Sequence, residues 1–359
     1  MSGAAPESIR RGRILVARLD SFGDLLLAGP AVRAVAASAV QIGMLVGQGH
    51  RAEADLLPGI DEIVEFSAPW VVFEPEPLRP ELVQQVIRTI QQASFDGALI
   101  LTSFHQSPLP LALVLRMAGV GWIGAISNDY PGSLLDLRHR VPGNLPESER
   151  NLSLASAAGF RPDESGARLA VRRPLPDARR WIGPESYVVF HPGAAVEARR
   201  PTAEHSRAIV DELAEAGRRV LVTGSQAEAA LATFVAADQA VSLAGQLDVA
   251  QLASVLDRAD VVIAPNTGPA HLAAAVGTPV VSLFAPVVAV SNWAPYGVPS
   301  IVLGDQSAAC RNTRTRSCPV PGHPCLTSVQ PSDVVAAVER LAGQPVRRER
   351  EGAAWRQAT

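Results

Sequence analysis

The chain has 359 residues, 47% of them hydrophobic, which is enough for two domains that each bury a core. A net charge of −3, with no basic stripe interleaved with aromatics, excludes nucleic acid as an expected partner. No apolar run approaches the roughly 18 residues of a membrane span and the first residues lack a signal-like apolar core, so a cytoplasmic location is expected.

Residues 13–18 predict a strand, followed by a loop at 19–23, a helix over 24–37 and a strand at 41–46. Residues 61–66 read as an edge strand, 80–93 as a helix and 95–101 as a central strand. A helix over 108–119 starts on prolines and ends on a glycine. A short strand around Trp122, a loop over 128–140 of acceptor-facing character and a helix over 148–158 complete a first domain at 13–165. Gly119-Val-Gly-Trp-Ile-Gly124 fits G-x-G-x-x-G, but it follows a helix and leads into a strand. The dinucleotide fingerprint requires the reverse, so this is a helix cap and turn. A stretch rich in Pro, Arg and Gly begins at Arg161, and residues 166–184 are the expected linker.

The second domain, 185–343, repeats strand and helix: 187–191 and 202–216, 219–223 and 226–236, a strand at 241–243 and a helix at 248–257. The stretch from Ala259 to Phe284 then spells strand, tight loop, helix and strand. Its loop Asn266-Thr267-Gly268 lies at the carboxyl end of a strand and the amino end of a helix, where free N–H groups and the helix dipole favour a phosphate. His271 falls in the first turn, within reach of the same anion. The alternative is an ordinary crossover loop. A second strand-to-glycine loop, Tyr187 to Ala195, runs into Arg199-Arg200-Pro201, and in an open parallel sheet the two loops converge on one crevice. Gly193 would let backbone approach a diphosphate, and Arg199 or Arg200 would grip it; an exposed arginine pair also reads as a solvated face. The last helix, over 331–343, is expected to cross back to the first domain, and residues 344–359 to be a disordered tail.

Five motifs together carry a resemblance: His191-Pro-Gly-Ala194, Arg199-Arg200-Pro201, Thr223-Gly-Ser-Gln-Ala-Glu228, Ser242-Leu-Ala-Gly245 and Asn266-Thr-Gly-Pro-Ala-His271. They resemble the donor half of glycosyltransferase family 9, the heptosyltransferase-like enzymes. The segment 13–33, with its Gly23-Asp24 turn, resembles that family's opening strand and helix, and matches run from about residue 13 to 343. The resemblance implies an α/β fold of GT-B type, two Rossmann-like domains facing each other across a cleft. It implies inverting transfer of a sugar from a nucleotide sugar, ADP-heptose being the first candidate, to a glycan, glycolipid or small-molecule acceptor. Peripheral association with a membrane would come through such an acceptor. Asp24 matches the family's general base, although local sequence alone reads it as a helix cap and Asp20 is its nearest competitor. Glu228 matches a carboxylate that binds the nucleotide ribose. Ala194, with Gly193, stands where the family often has small hydroxyl residues, and Asn266 stands where many members have Asp.

No cofactor or metal is implied: no Asp-x-Asp triplet occurs. Cys310, Cys318 and Cys325 with His323 lack the spacing of a zinc knuckle and read as structural loop residues. All 32 basic residues are Arg, so only Arg can neutralise a diphosphate. Ser103, His105, Arg138 and His139 are the candidate acceptor contacts, with no readable code. Two other readings stay open: a nucleotide-sugar epimerase or hydrolase on the same architecture, and a nucleotide-sugar-binding protein without catalysis.

Overall fold

The computed structural model describes residues 3–72, 74–162 and 164–342. The first lobe holds β1 (Arg13–Arg18), β2 (Gln41–Val46), β3 (Glu62–Glu65), β4 (Gly97–Ile100), β5 (Trp122–Ile126) and β6 (Leu137–His139). They form one sheet in the order β3-β2-β1-β4-β5-β6, every neighbouring pair parallel. The second lobe holds β7 (Val188–Phe190), β8 (Val220–Val222), β9 (Val241–Ser242), β10 (Val262–Pro265), β11 (Val280–Leu283) and β12 (Ser300–Leu303). Their order, β12-β11-β10-β7-β8-β9, is the same doubly wound pattern. Helices cover both faces, which is why the central strands carry consecutive apolar residues rather than alternating ones. Strand order reverses between β1 and β4 and between β7 and β10, and a ligand crevice is expected beyond those strands' carboxyl ends.

Three expectations are corrected. The first helix is Phe22–Ala36, starting two residues early, so Asp24 lies inside its first turn. The 128–140 region is not all loop: β6 lies within it, only three residues long and half-buried, with no apolar run to announce it. The last helix, Pro331–Ala342, does not cross back. Its Val334, Ala337, Val338 and Leu341 are buried in the second lobe's core with Val188, Phe190 and Ile209, and Glu339 pairs with Arg218 at 2.6 Å. The tail 344–359 lies outside the described residues.

What joins the lobes is the helix Phe22–Ala36 packed against the helix Gly268–Val276. The second of these is built of small residues and buried from Pro269 to Val276, so it fits between its own sheet and the facing lobe. One continuous apolar cluster includes Leu25 and Leu26 from one side and Ala270, Leu272 and Ala273 from the other. The 166–184 segment straps across: Arg172 bonds the carbonyls of Leu56 and Ile60, Arg173 pairs with Asp257, and Ser254 bonds the Pro176 carbonyl. No helix among the described residues is long and apolar enough to cross a membrane.

Candidate active site

The loops after β1, β4, β7 and β10 meet between the lobes. On the first-lobe wall, Arg18 ends β1 as a fully buried guanidinium. It lies 2.7 Å from Asp20 Oδ2, 3.0 Å from Asp24 Oδ1 and 2.6 Å from Glu147 Oε1. Asn151 Oδ1 accepts a further bond at 3.3 Å. Glu147, Arg150 and Asn151 occupy one face of the helix Glu147–Ala157. Arg150 bonds Glu147 at 3.4 Å, donates to the Thr102 carbonyl and lies 4.6 Å over the Phe104 ring. Burial disfavours a charged Arg18, but Asp20, Glu147 and Asp24 together hold its pKa above the ordinary value. Burial pushes Asp20 and Glu147 upward, Arg18 pulls each back, and Asp24 adds to both rises. Asp20 also accepts from Gln106 Nε2 at 2.7 Å, and Gln106 in turn accepts from the Ser103 N–H at 3.1 Å.

Asp24 is the third residue of its helix and caps it: its Oδ2 accepts from Ser21 Oγ at 2.7 Å and from the Ser21 N–H at 3.3 Å. Capping and facing the cleft are thus compatible, and across from it stand Arg199 and His271, both within its electrostatic field. His271 is buried, which lowers its pKa to about 4, and its Nδ1 has no hydrogen-bond partner among the described residues. It is a neutral imidazole at pH 7. Asn266 Nδ2 is likewise buried and unpartnered, and Thr267 is the helix N-cap. Arg199 closes a single 3₁₀ turn, Glu197–Arg199. Burial disfavours its charge, its Nε has no partner, and among the described residues it forms no ion pair. Arg200, one residue on, acts instead on Glu228. The two arginines, equivalent in sequence, therefore face different groups.

Two glycines are hemmed in by side chains of the protein itself. A Cβ on Gly193 would stand 2.0 Å from Glu228 Oε1, so the glycine makes room for that carboxylate. A Cβ on Gly268 would stand 2.6 Å from Phe22 Cδ1, so this glycine lets the lobes close. Glu228 is held by the Ser225 N–H at 2.8 Å and Oγ at 2.9 Å. Burial opposes its charge, but these bonds and His191 keep its pKa below the ordinary carboxylate range. His191, itself lowered to about 4 by burial, contacts Thr223 Oγ1 at 3.1 Å. Ala194 is buried in the same loop.

Of the acceptor candidates, Ser103 lines the buried side of the cluster, and His105 reaches across to Arg314 of the second lobe. Arg138 and His139 sit on edge strand β6 and act as braces. Arg138 bonds the carbonyls of Ser127 and Asn128, and His139 contacts Ser153 Oγ at 3.0 Å. Sequence reasoning missed Arg18, Gln106, Glu147, Arg150 and Arg314. The one available signal was Arg18, a charge ending an otherwise apolar strand. Among the described residues no three His, Cys, Asp or Glu side chains converge to hold a metal. Cys310 and Cys325 lie in the second lobe's core, and burial raises the Cys325 thiol to about 11.

Two doubly wound lobes, joined across a cleft at the carboxyl ends of their strands, define a fold of GT-B type. A family model described as glycosyltransferase family 9 (heptosyltransferase) matches residues 83–323. Lipopolysaccharide heptosyltransferase 3 of Escherichia coli is 27% identical over 351 residues, which cover 89% of this chain and 96% of that one. The solved ADP-heptose lps heptosyltransferase II of E. coli matches with a TM-score of 0.72 at 17% identity, covering 92% of this chain and 98% of that one. E. coli heptosyltransferase WaaC, solved with ADP-2-deoxy-2-fluoro heptose, matches with a TM-score of 0.67 at 19% identity, covering 91% and 99%. The chain belongs to glycosyltransferase family 9 and is a glycosyltransferase of the heptosyltransferase family.

Proposed function

We propose that the protein transfers a heptose from ADP-heptose to a saccharide hydroxyl of an envelope glycan or lipopolysaccharide, with inversion and without metal, and that Asp24 is the general base. The carrying observation is that Asp24 on one wall is opposed on the other by the amino end of helix Gly268–Val276 and by the largely buried Arg199, which forms no ion pair among the described residues. A buried guanidinium without a carboxylate is costly unless an anion joins it, and a diphosphate is that anion. The acceptor oxygen attacks the anomeric carbon, the bond from that carbon to the phosphate oxygen breaks, the hydroxyl proton passes to the Asp24 carboxylate, and ADP leaves. A positioned base contributes about 10²- to 10⁴-fold, and the charge growing on the diphosphate is met by Arg199 and the N–H groups at 267–268. Glu228 serves the ribose. ADP-heptose is supported by the family and by the ligand named for WaaC.

The test is calorimetric titration with ADP-heptose, UDP-sugars and GDP-sugars, and turnover with a core-saccharide acceptor, for the wild type and Asp24→Asn. Selective ADP-heptose binding kept by D24N, with turnover reduced at least about 10²-fold, is the expected result. D24N turnover near wild type would remove Asp24 from the chemistry. Consumption of ADP-heptose at the same rate without acceptor would favour a hydrolase.

A further inference from the structure

Arg314 sits in the Cys310–Cys325 loop, far in sequence from every motif of the site, yet its guanidinium crosses the cleft. Its Nη1 donates to His105 Nδ1 and lies 3.3 Å from Nε2 of the same ring. That partner is neutral, since burial and Arg314 itself lower the His105 pKa. Among the described residues one donor is therefore used and four N–H groups remain. The backbone under it is unusual: Arg314 and Asn312 have φ of +58° and +59°. Asparagine tolerates this region, whereas for arginine it costs about 1–2 kcal/mol. The loop is held there by N–H bonds of 2.9 Å from Asn312 to the Pro286 carbonyl and from Arg314 to the Val287 carbonyl. The segment lies against the turn that bears Arg199, the Ala198 N–H donating to the Arg316 carbonyl at 2.8 Å, and Arg314 lies in the fields of Glu147 and Asp24, the latter also sensed by Arg199. Two guanidiniums brought together, with no carboxylate paired to either among the described residues, are stable once an anion with several oxygens lies between them.

We propose that Arg314 is a second ligand of the donor's diphosphate, resting on His105 until the nucleotide enters and then closing with Arg199 on the leaving phosphates. This rests on the donor reading above. The diphosphate, rather than a phosphate on the acceptor, is favoured because Arg314 is anchored to the donor lobe beside Arg199.

The experiment titrates ADP, AMP and adenosine into wild type, Arg314→Asn and Arg316→Gln. Asparagine accepts a left-handed backbone, so R314N keeps the loop's path, and a thermal melt checks its fold. Arg316 lies in the same loop and its guanidinium faces Glu74 at 3.6 Å, so R316Q removes an equal charge from the loop at a side chain already paired with a carboxylate. R314N is expected to weaken ADP by about 10- to 100-fold, AMP by less and adenosine not at all, with R316Q within about twofold of wild type for all three. The assignment is overturned if R314N binds ADP as wild type does, if R316Q weakens ADP equally, or if adenosine falls in parallel. A wild type that binds neither ADP nor ADP-heptose would remove the donor reading, and this assignment with it.

Discussion

Replacing Gly193 with alanine tests whether that glycine serves a ligand or a neighbour. The added Cβ would stand 2.0 Å from Glu228 Oε1, 2.4 Å from Cδ and 3.0 Å from Oε2, so the carboxylate must retreat by more than an ångström. Retreat breaks its bonds to the Ser225 N–H and Oγ, which cap the following turn. Charge-assisted bonds of this kind contribute about 1.5–3 kcal/mol when buried, and Glu228 is only half-buried, so a loss of about 2 kcal/mol is expected. For a lobe of this size that lowers the melting temperature by roughly 4–8 °C. The decisive assay is a four-protein cycle of urea unfolding: wild type, G193A, E228A and the double variant. In the E228A background the methyl enters vacated space and G193A costs about nothing, giving a coupling of about 2 kcal/mol. An equal cost in both backgrounds would refute the steric argument. A G193A protein that unfolds like wild type but binds ADP weakly in both backgrounds would restore backbone approach to the diphosphate as the reason for the glycine.

The buried His271 makes stability pH-dependent with a definite sign. Its pKa falls from roughly 6.5 unfolded to about 4 folded, so the unfolded chain takes the proton first and stability is lost as pH drops from 6.5 towards 4. Between pH 7 and 5 the wild type should lose about 2 kcal/mol more than His271→Asn; parallel stability profiles would contradict the burial argument. Gly268→Ala places a methyl 2.6 Å from Phe22 Cδ1 and so pushes the two facing helix starts apart. Turnover should fall by about 10- to 100-fold, with part restored by Phe22→Ala in the same chain. A G268A enzyme of wild-type rate would mean that this contact does not set the distance between the cleft walls.

The alternation of strands and helices, the glycine loops after β7 and β10 and the placement of Asp24 were readable because each is local: a period, a cap, a turn. What failed was whatever depends on a partner distant in sequence. The helix at Phe22 begins before its Gly23, a poor helix former, because Phe22 packs on Gly268 of the other lobe. The apolar face of Pro331–Ala342 is plain in the sequence, but nothing local says which lobe covers it. Glu147 and Arg150 resemble solvated residues of an ordinary helix, and only the 129-residue separation bridged by the Arg18–Glu147 bond makes them part of the site. Arg314 was hidden for the same reason, within a loop whose cysteines drew attention to metal instead.

The cleft is built from two halves that are incomplete in opposite senses. On the first-lobe wall three carboxylates share two guanidiniums, Arg18 and Arg150, and on the facing wall Arg199 and Arg314 form no ion pair among the described residues. The charge of Arg18 is already met by the deeper Asp20 and Glu147. Its bond to the more exposed Asp24 therefore orients that carboxylate without cancelling the wall's negative charge. Ser21 fills the lone pairs of Oδ2 from the other side, leaving Oδ1 the oxygen with a site to spare. On the proposed reaction this division is what inverting transfer needs: an oriented base where a proton is released, and uncompensated cations where phosphate charge accumulates. Packing of the helix Phe22–Ala36 against the helix Gly268–Val276 fixes the two walls relative to each other, and among the described residues no salt bridge joins Asp24 to Arg199 or Arg314, so on this reading the substrate is what neutralises them.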